Sequence, residues 1–237
     1  MCAVNGGSFR RDDNMNNNTR KITTIAMLTG MALILGIVLR FPRIMPAALF
    51  LTYDPKDVII IIGGFMFGPL SVVLMAFVVA AIEMVTISES GPIGFLMNFL
   101  ASATLAAPAA FIYSKKRSIQ GAVIGLVIGI IASTTTMLLW NYIIVPIYMG
   151  WPREAVVALM FPAILPFNLI KNTLNASMAI MLYIPVSTAL KAARLHQVAA
   201  PAADTASKRK INIGLLLVAG FITISLILVM LSLSGTI

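Results

Sequence analysis

From Ile119 to Ile147 the chain carries no charged side chain, and similar apolar runs cover Ile22–Leu39, Ile93–Tyr113 and Ile211–Leu233, with Leu70–Ile87 and Phe161–Tyr183 holding one charge each, Glu83 and Lys171. Runs of this length span the hydrocarbon layer of a bilayer as α-helices. They are continuous and do not alternate with polar residues, which excludes a membrane β-barrel. With 59% hydrophobic and 11% charged residues over 237 positions and a mean hydropathy of +0.98, the chain reads as an all-α, polytopic membrane protein.

Charge sets the orientation. Twelve of the 17 Lys and Arg residues fall in three clusters beside apolar runs: Arg10, Arg11, Arg20 and Lys21; Lys115, Lys116 and Arg117; Lys191, Arg194, Lys208, Arg209 and Lys210. Cytoplasmic loops are enriched in this way. The net charge of +9 is thus explained by topology and calls for no nucleic acid.

Along the chain, residues 1–20 read as a disordered polar cytoplasmic tail and 21–190 as a six-helix membrane domain. Residues 191–210 read as a cytoplasmic linker and 211–234 as a seventh membrane helix. Residues 41–56 hold three prolines yet stay apolar, as a lid folded over a pocket would. Val58–Phe67 is short for a span, and Gly68-Pro69 breaks it from the next run. Counting 57–87 as two helices puts the 115–117 cluster on the same side as the N-terminus. Residues 148–160 read as an external loop.

Several function classes are excluded. The sequence contains no Gly-x-x-x-x-Gly-Lys-Ser/Thr phosphate cradle, so ATP hydrolysis must come from elsewhere. One histidine (His196) and one cysteine (Cys2) rule out paired metal motifs and a Ser-His-Asp triad, and an enzyme is not expected. Asp54 and Asp57 flank a helix start, where N-terminal capping is the expected role. Glu83, an acid well inside a span, is expected to pair with a polar neighbour or sit near the outer mouth.

Asn141, Asn168 and Lys171 are the polar residues that stand out in membrane segments. Such groups cost free energy in hydrocarbon and usually face a protein interior or a ligand path. Asn168 and Lys171, three apart, share a helix face. Two readings are open: hydrogen bonding between helices, or a pocket for a neutral small molecule rich in hydrogen-bonding groups. Asn141 and Lys171 lie toward the external ends of their helices, so a pocket would open outward.

Six stretches in order carry a family resemblance: Ala26–Gly30, Leu51–Asp57 (Leu-Thr-Tyr-Asp-Pro-Lys-Asp), Gly64–Pro69, Gly91–Asn98, Trp140–Tyr142 and Leu165–Lys171. With them the chain resembles the riboflavin-specific substrate-binding (S) component of energy-coupling factor (ECF) vitamin transporters. The resemblance implies a six-helix domain with both ends cytoplasmic in a bacterial plasma membrane. It implies riboflavin, or its phosphate, as transported ligand and no cofactor. Asn141, Asn168 and Lys171 would hydrogen-bond the flavin, with backbone groups near Leu51 and Thr52 assisting and Leu49, Phe50 and Tyr53 covering its flat body. The partners implied are a transmembrane coupling subunit and two ATP-binding subunits. Ala26 and Gly30 stand where the family commonly shows two alanines that meet the coupling subunit. Close packing between helices of this same chain is the competing use of that pair. The seventh helix lies outside the six-helix pattern. A self-sufficient secondary carrier is the alternative function, and a scaffold protein a third.

Overall fold

The computed structural model describes residues 6–42, 51–87, 90–192 and 213–233. The described residues form eight helices and one short ladder: α1 (Gly6–Val38), β1 (Phe41–Pro42), β2 (Thr52–Tyr53), α2 (Lys56–Phe67), α3 (Pro69–Thr86), α4 (Gly91–Lys115), α5 (Ile119–Met149), α6 (Arg153–Leu159), α7 (Leu165–Ala192) and α8 (Ile213–Leu233). Five segments are long and apolar enough to cross a membrane: 18–38 in α1, then α3, α4, α5 and the stretch 153–183.

Helix α2 is the centre of the bundle. Its 12 residues are too few to cross alone, and Val58–Ile62 are each 2% exposed or less. A helix apolar on every side must be covered on every side, and α1, α3, α4 and α7 all pack on it. Gly68, at φ 91°, turns the chain into α3, with Pro69 as its first residue. Gly64 faces Val72, Gly63 faces Met75 and Lys56 reaches Glu83, so α2 and α3 run antiparallel as two helices.

Two expectations are corrected. Residues 153–159 are helical, and the expected loop at 148–160 shrinks to the turn around Gly150–Pro152. From α6 the chain enters α7 through a π-helical turn at Met160–Ile164, where the Leu165 N–H reaches the Met160 carbonyl. The wider turn absorbs Pro162 and Pro166, which cannot supply N–H groups to an α-helix. At the other end, α1 begins at Gly6, inside the stretch expected to be a disordered tail; from Ser8 to Thr29 no Gly or Pro interrupts it.

Apolar burial cannot hold helices together in lipid, so close packing must. Gly125 and Gly129 line the α5 face against Ala109 and Leu105 of α4, and a Cβ on Gly129 would lie 2.1 Å from the Leu105 carbonyl oxygen. Backbone cannot step aside as a flexible side chain can. Gly129→Ala is therefore expected to cost about 3 kcal/mol or more, the upper range for overpacking. Thermal unfolding in detergent measures it, and an unchanged midpoint would remove this contact from the account.

Candidate ligand-binding site

A cavity of about 530 Å³ opens at one end of the bundle, within the roughly 300–1,000 Å³ usual for small-molecule sites. Its walls come from the end of α1 and the residues just past it (Gly36, Arg40), the β2 segment leading into α2 (Leu51, Thr52, Asp54), the end of α3 (Glu83), the start of α4 (Gly94, Asn98), the end of α5 (Asn141) and the start of α7 (Asn168, Lys171). Chain direction alternates from helix to helix, so all of these ends meet on the face opposite the Lys115–Arg117 cluster. Asn141, Asn168, Lys171, Leu51 and Thr52, singled out in the sequence, all line it.

Both asparagines are held by their own helices. Asn141 Nδ2 donates to the Met137 carbonyl (2.7 Å) and Asn168 Nδ2 to the Ile164 carbonyl (2.8 Å). Each amide is thereby fixed with its oxygen and second N–H remaining for other partners. One turn beyond Asn168, Asn172 also lines the cavity and donates to Thr134 Oγ1 (3.2 Å).

Beneath the cavity lies an ion network. Lys56 Nζ is 2.5 Å from Glu83 Oε2 and 3.6 Å from Asp54 Oδ2, and Lys171 Nζ is 3.5 Å from Asp54 Oδ1. Asn98 donates to Glu83 (3.1 Å), while Ser102 and Asn175 donate to Asp57 (2.5 and 3.3 Å). Lys56, Asp57 and Glu83 are at most 3% exposed. Buried charges survive only with compensating partners: Lys56 and Glu83 pair with each other, while Asp57, in no ion pair among the described residues, accepts the Ser102 and Asn175 hydrogen bonds. Asp54 Oδ1 differs: it is buried and accepts no hydrogen bond. An acceptor in a cavity wall, left with only a long ion contact, is fitted to receive a donor from a ligand.

These positions revise the sequence reading at several points. Asp54 and Asp57 do not cap α2, which has no side-chain cap; buried cations, an amide and a hydroxyl offered stronger partners. Glu83 does find a neighbour, Lys56, which sequence reasoning missed. Its signal was available: Asp54-Pro-Lys-Asp57 puts three charges at the start of a helix that is otherwise Val, Ile, Gly, Phe and Met. Leu49 and Phe50 lie outside the described residues. Tyr53 is no cavity cover, because its hydroxyl donates to Asn175 Oδ1 (2.9 Å) and ties β2 to α7. Ala26 is exposed, and a Cβ on Gly30 meets nothing within 4 Å, so this face of α1 points out of the bundle and packs on no helix of the chain among the described residues.

A multi-pass membrane bundle with a polar cavity where its helix ends converge defines a small-molecule-binding membrane protein. Residues 20–187 match the family described as "ECF transporter, substrate-specific component", and the chain belongs to that family. It is 33% identical over 189 residues to the riboflavin transporter RibU of Staphylococcus aureus, covering 77% of this chain and 97% of that one. Identity to the riboflavin transporter FmnP of Bacillus subtilis is 29% over 163 residues, covering 65% and 84% of the two chains. A solved structure described as the S component of a bacterial ECF transporter superposes with a TM-score of 0.62 at 31% identity, over 73% of this chain and 99% of the other.

Proposed function

We propose that this protein captures riboflavin from outside a bacterial cell and delivers it through a transmembrane coupling subunit driven by two ATP-binding subunits. The convergence of Asn141, Asn168, Lys171 and the unsatisfied Asp54 oxygen on one cavity carries this reading. The isoalloxazine edge and the ribityl chain of riboflavin present both donors and acceptors, which two fixed amides, an ammonium and a carboxylate match. The names of the relatives support the same ligand. Lys171 and Arg40 also give the cavity two cations, so riboflavin phosphate is the second ligand to titrate. The N-terminus and the 115–117 loop are cytoplasmic in this reading, and the cavity faces out.

Delivery needs a docking face, and the outward stripe at Ala26 and Gly30 supports one. Small residues four apart admit a close helix, and a large side chain prevents it. Gly30→Leu, whose Cβ would meet nothing within 4 Å among the described residues, is expected to bind riboflavin normally. It should lose uptake in cells and fail to co-purify with its partner subunits. Normal uptake by this variant would remove the stripe from the interface. Riboflavin transport by the purified chain alone in liposomes would make the protein a secondary carrier.

A further inference from the structure

Helix α8 lies beyond the family match, which ends at residue 187, and it is no detached anchor. It packs along α7 in the antiparallel sense. Gly220 faces Met181, and the buried hydroxyls of Thr223 and Ser177 are 2.8 Å apart. Ala219, buried on the same stripe, lets the two helices approach. Two turns further toward the cavity end, Leu226 packs against the apolar cluster of Leu51, Tyr53, Ala163, Phe167 and Leu174. Leu51 and Phe167 of that cluster also line the cavity. The opposite side of α8, with Leu217, Phe221, Ile224 and Leu228, is exposed.

We propose that α8 buttresses the ligand site from behind and slows ligand release. The 51–53 segment forms one wall of the cavity, and it is held to α7 by the Tyr53–Asn175 hydrogen bond. Leu226 packs on the same cluster from α8. A wall with fewer packed neighbours opens locally more often, and ligand residence shortens with it. The inference rests on the cavity being the ligand site.

Four forms of the protein test it: the full chain, a chain stopped after residue 210, Leu226→Ala, and Phe221→Ala as the exposed-face control. Two quantities are read, the riboflavin dissociation rate and backbone hydrogen exchange at residues 51–55 without ligand. Stopping the chain should speed release roughly tenfold and Leu226→Ala about threefold, since affinity changes in related complexes fall mostly on dissociation. Exchange at 51–55 should rise in both, and Phe221→Ala should change neither quantity. Unchanged release and exchange in Leu226→Ala and the shortened chain would overturn the proposal. If the shortened chain fails to fold, Leu226→Ala against Phe221→Ala decides. Failure of the full chain to bind riboflavin would count against the ligand, while exchange at 51–55 would still decide the role of α8.

Discussion

Lys56→Met should destabilise the protein by about 3–5 kcal/mol, the usual loss when one member of a buried ion pair is removed. Lys56 is 2% exposed and stands between Glu83 at 2.5 Å and Asp54 at 3.6 Å. Without it, Glu83 keeps Asn98 as its hydrogen-bond donor but, among the described residues, no cation within bonding distance. The double variant Lys56→Met/Glu83→Gln should recover much of the loss, because removing both charges leaves neither one stranded. Thermal unfolding of the two variants in detergent measures both effects. A single variant as stable as the parent would show that the pair is not a structural centre of the bundle.

Asn141→Ala and Lys171→Ala are each expected to weaken riboflavin binding by roughly tenfold to a hundredfold, equivalent to about 1–3 kcal/mol for a lost hydrogen bond to a buried group. The chain should still insert and fold in both. Asn141 contacts no charged group among the described residues, so its loss reads binding alone. Lys171→Ala also takes a cation from Asp54, which then depends on Lys56. A fall in melting temperature is therefore expected for Lys171→Ala and not for Asn141→Ala. Unchanged affinity in both variants would take these residues out of the site.

Much of this was legible because hydrocarbon is a strict solvent. Asn141, Asn168 and Lys171 stood out in apolar runs, and they line one cavity. The break at Gly68-Pro69 was equally plain, since only a turn with positive φ joins two antiparallel helices there. Lys56 left a signal in the charged Asp54–Asp57 stretch, but its partner left none, and a lysine beside a proline at the edge of an apolar run also suits an interfacial place. Only the fold reveals that the start of α2 lies inside the bundle, against the end of α3. The helix at 153–159 was hidden behind Gly150-Trp-Pro152, which has the composition of a loop. The partnership of Tyr53 with Asn175 joins residues 122 positions apart, and no local pattern signals it. The role of α8 was illegible for the same reason, because Leu226 is one leucine among many until its neighbours are known.

The most direct test of the flavin site is a titration of the purified, detergent-solubilised full chain with riboflavin, followed by quenching of flavin fluorescence. The expected result is saturable quenching at one flavin per chain, with the curve displaced to higher concentration in Asn141→Ala. A parent protein that melts cooperatively yet gives no saturable quenching would contradict the assignment of this cavity to riboflavin.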